Sequence, residues 1–238
     1  MGKKGRDTRV KRQMAPSFWN IKRKEGRFIL NTGAGAHSKK SAYPLGIILR
    51  DILKVADTMN ECEKIVKSGN IRIDGITVRN VAHAIGLMDI IELVPTAQSF
   101  RIVPKDSEIL VPVDIPDNEK AVKLLKVIHK STLNTSLYQY GFHDGKTFRS
   151  EQEFSVGDTC LVTLPNKSVI NHIKFEKGCT ALITRGENAG RIGKVEDIRE
   201  GIFSLPRRAL LSFGDKTIEL PVETILAVGL ERPMIKVN

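Results

Sequence analysis

The sequence predicts a multidomain α+β protein that is mainly β. Positive charge is concentrated near the start of the chain, helical periodicity follows for one short stretch, and alternating segments separated by turn residues fill the rest. We expect a basic arm at 1–43, a small helix–helix–hairpin domain at 44–103, a central β domain at 104–172, and a C-terminal β unit with its tail at 173–238.

The composition narrows the class of partner. The chain has 238 residues, of which 41% are apolar and 27% charged, and its formal net charge is +11. Such a chain folds, and its charge favours a polyanion as partner: RNA, DNA or an acidic membrane surface. The most apolar stretch, 84–94, contains Asp89 and Glu92 and is too short to span a membrane. With no secretory signal visible, we expect a cytoplasmic protein without membrane association.

The cysteines and histidines argue against catalysis and metal binding. The three cysteines lie far apart and form no CxxC pair, and the five histidines are scattered. No HxE or GxSxG element supplies a base or a nucleophile. We therefore expect no catalytic residue, no metal site, no cofactor and no small-molecule substrate.

The arm carries nearly all of the excess charge. Through residue 43 there are 12 basic side chains and 2 acidic ones, whereas the remaining chain has a net charge of +1. The arm has too few apolar residues to bury a core of its own, so we expect it to be mobile alone and ordered by a polyanion. A solvated tail that aids solubility is the alternative.

Aromatic residues interleave with the arm's cations. Phe18 and Trp19 would offer a stacking face beside phosphate contacts, although Trp19 could instead pack on its own protein. Gly33 and Gly35 predict flexible backbone near phosphates, or a plain linker. The candidate RNA contacts of the arm are Lys3, Lys4, Arg6, Arg9, Lys11, Arg12, Trp19, Lys22, Arg23, Lys24, His37, Lys39 and Lys40.

Two helices and a hairpin are predicted next. Apolar residues at three-and-four spacing over 45–56 predict the first helix. Thr58 and Glu61 have the capping-box pattern of a second helix, which Gly69 ends. The alternation over 70–79 is interrupted by an Asp-Gly turn signal and predicts a hairpin, and 86–93 predicts a further strand.

This order of elements resembles the RNA-binding domain shared by bacterial small-subunit ribosomal protein four, tyrosyl-tRNA synthetases and several pseudouridine synthases. The resemblance implies that the outer edges of the helices and the hairpin grip structured RNA. The alternative is that these cations are ordinary solvated residues. The positions concerned are Arg50, Lys54, Lys64, Lys67 and Arg72.

The rest of the chain predicts β structure. Short alternating runs and an Asp-Gly turn at 144–145 predict a small, mainly β central domain, in which 120–130 could be strand or helix. Residues 181–195 resemble the KOW motif, a strand, a glycine-rich loop and a strand within an SH3-like barrel. That resemblance implies contact of the loop with RNA or with a protein, unless its glycines only build a turn. The loop candidates are Arg185, Gly186, Asn188, Gly190 and Arg191.

By its order of domains and its local matches, the chain is identified as a member of the archaeal and eukaryotic small-subunit ribosomal protein four family, which is distinct from the bacterial protein of that number. It departs from the family at Ala36, where proline is usual, and at Arg185, where glycine is common. The compact length favours an archaeal source. The matching segments are 12–19, 22–24, 35–37, 44–45, 49–51, 73–75 and 86–89.

The resemblance implies a structural constituent of the small ribosomal subunit with no active site, bound to small-subunit ribosomal RNA and adjoining other ribosomal proteins. Two rival functions stay open. One is an RNA-modifying enzyme, which would need a larger unassigned region for its catalytic domain. The other is a free KOW-containing elongation or antitermination factor.

Overall fold

The computed structural model describes residues 9–22, 26–106, 108–134, 137–166, 168–214 and 216–237. The protein is mainly β with few helices. None of the helices in these ranges has the length and apolar character needed to cross a membrane.

Nineteen strands are present in the described ranges. In chain order they are β1 (Arg9–Lys11), β2 (Phe28–Leu30), β3 (Tyr43–Pro44), β4 (Ile71–Ile73), β5 (Ile76–Thr77), β6 (Ala84–Ile85), β7 (Ile90–Leu93), β8 (Gln98–Lys105), β9 (Glu108–Asp114), β10 (Val122–Asn134), β11 (Leu137–Phe142), β12 (Thr147–Ser150), β13 (Thr159–Thr163), β14 (Val169–Ile173), β15 (Thr180–Ile183), β16 (Ile192–Arg199), β17 (Arg208–Phe213), β18 (Lys216–Pro221) and β19 (Ile225–Gly229).

Helical structure is confined to short segments. They are α1 (Leu45–Ile47), which a π-helical turn (Ile48–Ile52) continues, α2 (Met59–Lys67), and 3-10 turns at Arg12–Met14, Lys39–Ser41, Val94–Thr96, Asp117–Glu119 and Val222–Thr224.

Three five-stranded sheets and two strand pairs organise the chain, and all pairings are antiparallel. The first sheet has the order β5-β4-β7-β8-β9, the central sheet β12-β11-β10-β13-β14, and the C-terminal sheet β18-β17-β16-β15-β19. β1 pairs with β2, and β3 with β6. The first sheet continues to Asp114, so the expected domain boundary between 103 and 104 falls inside β8. Residues 122–130, which could have been strand or helix, are strand.

The first helix is shorter than its periodicity predicts. Leu45, Ile48 and Leu49 are buried, as the apolar spacing indicates. Beyond them the helix widens, with the Leu53 amide donating to the Ile48 carbonyl at 2.8 Å, and Lys54 takes a left-handed φ of 53°. A non-glycine residue in that conformation stops a helix, so the predicted continuation to residue 56 is wrong.

The second helix and the hairpin follow the local signals. The Glu61 amide donates to the Thr58 hydroxyl at 3.3 Å, while the Glu61 carboxylate accepts from the Thr58 amide at 3.2 Å, which confirms the capping box. Asp74 and Gly75 have φ of 52° and 77°. Two successive positive φ values match the tight turn that joins β4 to β5.

The described part of the arm is packed against the protein, contrary to the expectation that it is mobile alone. Trp19 is 3% exposed, and its indole Nε1 donates to the Ala42 carbonyl at 2.9 Å. Its ring stacks on Tyr43, with the centroids 5.8 Å apart. Ile21 is buried beside it, in the same cluster as Leu45 and other apolar residues of the helices. The arm builds no core of its own, but it shares that of the helical domain.

The three sheets contact one another through shared buried residues. Val103 of β8 and Leu124 of β10 both belong to the apolar cluster of the C-terminal sheet. Lys126 of β10 also donates through its ammonium to the carbonyls of Val222 and Ile225, each at 2.6 Å. Burial lowers the pKa of Lys126 to about 8, and the Glu223 carboxylate offsets only part of that shift. The sheets therefore form one packed body.

Candidate nucleic-acid interface

A groove of about 500 Å³ lies between the β1–β2 pair and the helices. Ile29 and Leu30 of β2 and Met59 of α2 supply apolar walls. The groove brings together residues of the arm and of the helical domain that the sequence proposed separately as RNA contacts. Its basic lining residues are Arg9, Arg12, Lys22 and Arg50.

Backbone contacts hold the cations of the arm in place. Arg9 lies on β1, opposite Leu30 of β2. The Arg12 guanidinium Nη2 donates to the Ile21 carbonyl at 2.8 Å, and the Arg12 amide donates to the Arg27 carbonyl at 3.0 Å. The Arg12 Nε is buried and has no hydrogen-bond partner among the described residues. These backbone contacts therefore fix the position of positive charge in the groove. The buried Arg12 Nε is a hydrogen-bond donor that remains unsatisfied among the described residues.

Arg50 brings charge from the helical side of the groove. Its Nε and Nη2 donate to the two carboxylate oxygens of Asp51, at 2.8 Å and 2.9 Å. This bidentate pair fixes the orientation of the guanidinium and offsets part of its charge. Arg50 thus contributes more to the shape of the wall than to its net potential.

Phe28 is the exposed aromatic ring of this groove, and sequence reasoning did not select it. Its side chain is 53% exposed, and the Arg27 guanidinium carbon lies 5.6 Å from the ring centroid. The sequence signal was available, since Phe28 follows a cation in the basic arm. Trp19 was selected instead, but its ring packs on its own protein, which is the alternative that the sequence left open, and it is therefore closed to a base. Phe28 and Arg27 thus place an exposed aromatic ring and a cation side by side at this groove.

The predicted cations of the helical domain divide into two groups. Lys54, Lys64 and Arg72 are exposed, and none has a carboxylate within 4.0 Å among the residues that the structure describes. Lys67 pairs with Glu63, four residues earlier, at 2.8 Å between Nζ and Oε1. The first three offer their charge to solvent, whereas an exposed pair such as the last has part of its charge offset.

The remaining candidates of the arm lie outside the groove lining or outside the described ranges. Lys11 and Lys40 are exposed, and Lys39 is half-buried in a 3-10 turn. The other predicted contacts lie on residues that the structure does not describe: Lys3, Lys4, Arg6, Arg23 and Lys24.

Only part of the loop between β15 and β16 is exposed on the surface. Arg185, Gly186 and Arg191 are exposed, and Asn188 is half-buried. Gly190 is buried, and a Cβ there would lie 2.6 Å from the Cα of Lys105. That close approach explains the glycine by packing against the β8–β9 turn and corrects its assignment as an RNA contact.

His37 also has a structural role in place of the predicted RNA contact. Its ring is 7% exposed, and Nε2 lies 3.1 Å from a carboxylate oxygen of Asp89. The Gly86 amide donates to Asp89 at 2.8 Å, and a Cβ on Gly86 would lie 2.4 Å from the His37 ring. The histidine is therefore enclosed at the junction of the arm with the helical domain, where a phosphate cannot reach it.

The same junction contains a buried ionic cluster, which we define as Lys123, Asp74, Asp89, Asp144 and Lys146. Lys123 of the central sheet has no exposed side-chain surface, and its ammonium contacts Asp74 at 2.8 Å and Asp89 at 2.5 Å. Lys146 contacts the same oxygen of Asp74 at 2.8 Å and Asp144 at 3.3 Å. The cluster joins the helical domain to the central sheet.

Charge pairing sets the protonation of the ionic cluster. Burial alone would raise the pKa of Asp89, but the Lys123 ammonium and His37 outweigh it and hold that pKa well below its usual range. Burial would likewise lower the pKa of Lys123, and the carboxylates of Asp89, Asp74 and Asp144 raise it instead. Burial beside Lys123 also lowers the pKa of His143 to about 4. Lys123, Asp89 and Asp144 are therefore charged at neutral pH, whereas the adjoining His143 is neutral.

Metal binding finds no support in the described ranges, where no group of three or more His, Cys, Asp or Glu side chains could hold a metal ion. In the ionic cluster each carboxylate faces an ammonium.

Two family profiles match the chain. The profile of ribosomal family S4e matches residues 96–169, and that of the RS4NT (NUC023) domain matches residues 4–40. A solved structure of 30S ribosomal protein S4e from Thermoplasma acidophilum superposes with a TM-score of 0.67 at 31% identity, over 79% of this chain and 94% of that one.

Curated relatives match along the whole length. Small ribosomal subunit protein eS4 of Pyrobaculum arsenaticum is 35% identical over 96% of this chain and 98% of its own length. The protein of the same name from Korarchaeum cryptofilum is 34% identical over all of both chains. These relatives are ribosomal proteins and not enzymes. The chain therefore belongs to the S4e family of small ribosomal subunit proteins, which confirms the resemblance drawn from its sequence.

Proposed function

We propose that this protein is a structural constituent of the small ribosomal subunit in the cytoplasm and that it binds small-subunit ribosomal RNA through the groove of Arg9, Arg12, Lys22 and Arg50. The observation that carries the proposal is the convergence of these four cations beside the exposed ring of Phe28. Cations from two separate parts of the chain converge on one groove.

The groove chemistry fits RNA. Its cations would contact phosphates and displace counterions, which supplies affinity without reading sequence. Phe28, with Arg27 over its ring, would stack on an unpaired base. The exposed Lys54, Lys64 and Arg72 would extend the contact along the edge of the helical domain. Shape and stacking, more than hydrogen bonds to base edges, would then give the selectivity.

We also propose the finer domain assignments. The capping box of α2, the β4–β5 hairpin and the strands that follow support a helix–helix–hairpin RNA-binding domain. The glycine-rich loop between two strands of a five-stranded antiparallel sheet supports an SH3-like KOW barrel at the C-terminus. Arg185, Gly186, Asn188 and Arg191 would then be the loop residues available to RNA.

Salt dependence of binding tests the proposal. The full chain is titrated against small-subunit ribosomal RNA at several salt concentrations. Six cations are expected to contact phosphates: Arg9, Arg12 and Lys22 of the groove, and Lys54, Lys64 and Arg72 of the helical domain. Affinity should then fall on the order of a thousandfold between about 50 and 200 mM salt. The double variant Arg9→Gln, Lys22→Gln should flatten the logarithmic salt slope by about 0.7 to 0.9 for each lost contact.

A matched variant controls for net charge. Lys177→Gln with Arg199→Gln removes two exposed cations that pair with Asp197 and Glu219 on the C-terminal sheet, so the salt slope should not change. Equal slopes for the two double variants would mean that net charge, and not the groove, drives binding. Phe28→Leu should cost about 1–3 kcal/mol of affinity if a base stacks there.

Sedimentation separates a ribosomal component from a free factor. A constituent of the small subunit sediments with it stoichiometrically in moderate salt. A transcription or elongation factor that acts on nascent RNA stays in the soluble fraction.

A further inference from the structure

A short apolar projection lies between β16 and β17, far along the chain from the basic groove. We name residues 202–205 the apolar prong. The Ile202 amide donates to the Leu205 carbonyl at 2.9 Å, and the Leu205 amide donates to the Ile202 carbonyl at 2.8 Å. These reciprocal hydrogen bonds close a tight turn with Phe203 and Ser204 at its tip. The prong is therefore a defined backbone turn.

Large apolar side chains are exposed on the prong. Phe203 is fully exposed, Ile202 is 72% exposed and Leu205 is 44% exposed. Single exposed apolar residues are ordinary on protein surfaces, but three within four residues form a contiguous patch. Such a patch marks a surface that becomes buried in an assembly.

The arginines around the prong are paired with carboxylates. Arg207 Nε lies 3.1 Å from Glu200 Oε1, on the two segments that flank the turn. Arg199 and Arg208 both pair with Glu219, at 3.2 Å and 3.7 Å. These three arginines and two glutamates leave the rim of the prong with a net charge of only +1. An RNA-binding surface would instead offer unpaired cations, as Lys54 and Arg72 do on the helical domain.

An apolar centre with a polar rim of paired charges is the pattern of a protein–protein contact. We propose that the apolar prong inserts into an apolar pocket on a neighbouring protein of the small subunit, with Phe203 as the anchor. This rests on the proposed function, because it takes the small subunit as the assembly. The basic groove then faces RNA, and the C-terminal sheet faces protein.

Photo-crosslinking in assembled small subunits tests the partner. A benzophenone amino acid replaces Phe203 in the full chain, which is incorporated into subunits and irradiated, and the crosslinked molecule is identified after purification of the subunits. We expect a crosslink to one ribosomal protein. Crosslinks to ribosomal RNA alone, or none in subunits that contain the chain, would overturn the proposal.

The same probe at Phe28 distinguishes the two proposals, because the proposed function predicts RNA crosslinks there. RNA crosslinks at Phe28 without a protein crosslink at Phe203 refute the prong and leave the groove intact. Absence of the chain from small subunits refutes both.

A substitution measures the contribution of the anchor. Phe203→Ser should speed dissociation of the chain from high-salt-washed subunits about tenfold or more, because a buried aromatic anchor dominates such contacts. The affinity for naked ribosomal RNA and the urea midpoint of the free chain should not change, since Phe203 touches no core. Unchanged dissociation with those controls intact would overturn the assignment.

Discussion

Replacement of Lys123 by methionine tests the ionic cluster most directly. Met keeps the length and apolar volume of the side chain and removes the ammonium that contacts Asp74 and Asp89. Lys146 stays close to Asp74 and Asp144, but Asp89 keeps only the His37 ring and the Gly86 amide as partners among the described residues. Breaking a buried pair by removing one charge costs about 3–5 kcal/mol, and the presence of Lys146 favours the lower half of that range.

The pKa shift of Asp89 predicts how the stability difference between the parent protein and Lys123→Met changes with pH. In the parent protein the pKa of Asp89 is lowered, so its contribution to stability is present above the unfolded value of about 3.9 and is lost as pH falls through the folded value. In Lys123→Met, burial without the ammonium should raise that pKa, and protonation then relieves the buried charge. The stability difference between the two proteins should therefore be largest near neutral pH and narrow as pH falls below about 5.

Urea unfolding followed by fluorescence measures both effects, because Trp19 is the single tryptophan and is buried. Lys120→Met is the matched control. Lys120 lies on the surface and pairs with Asp117 at 3.0 Å, and surface substitutions of this kind usually stay within about 0.5 kcal/mol. A loss below about 1 kcal/mol for Lys123→Met at neutral pH, or a loss that grows toward acid, would refute the reasoning.

Three further predictions follow from packing. Gly86→Ala places a Cβ 2.4 Å from the His37 ring and should lower the free energy of unfolding in urea by about 1–3 kcal/mol. The control Gly26→Ala, whose Cβ would have its nearest neighbour at 3.5 Å, should leave the urea midpoint unchanged. Equal midpoints for the two variants would show that the His37 ring moves aside at little cost. Trp19→Ala should cost about 3–5 kcal/mol, measured by circular dichroism, and a loss below 1 kcal/mol would contradict its place in the core. Because burial raises the pKa of Cys160 to about 12 and the other thiols are also buried, a thiol reagent near pH 8 should react only after unfolding; rapid labelling of the native chain would argue otherwise.

Sequence reasoning succeeded where the decisive contacts are local. The capping box of Thr58 and Glu61 spans three residues, and the turn at Asp74 and Gly75 spans two, so neighbours along the chain contain the whole signal. The short alternating runs of the central region likewise predicted β structure, and Thr159–Thr163 is a strand. The family assignment rested on such local segments and is confirmed.

The errors arose where distant parts of the chain meet. Trp19 is buried against Ala42 and Tyr43, more than twenty residues away, and no local pattern distinguishes this from stacking on a base. His37 meets Asp89 across 52 positions, so its basic neighbours suggested phosphate contact where the fold supplies a carboxylate. Phe28 was overlooked for the same reason, because its exposure depends on which ring fills the core.

The placement of Trp19 in the core changes how association with RNA should proceed. The β1–β2 pair is packed against the protein's own core. The conformational entropy of that segment is therefore lost when the protein folds, and not when it binds RNA. Encounter can then be steered by charge, with rate constants that rise steeply as ionic strength falls. Under the proposed function, the β1–β2 pair would enter assembly already packed on its own protein, and most of the induced fit would fall to the RNA.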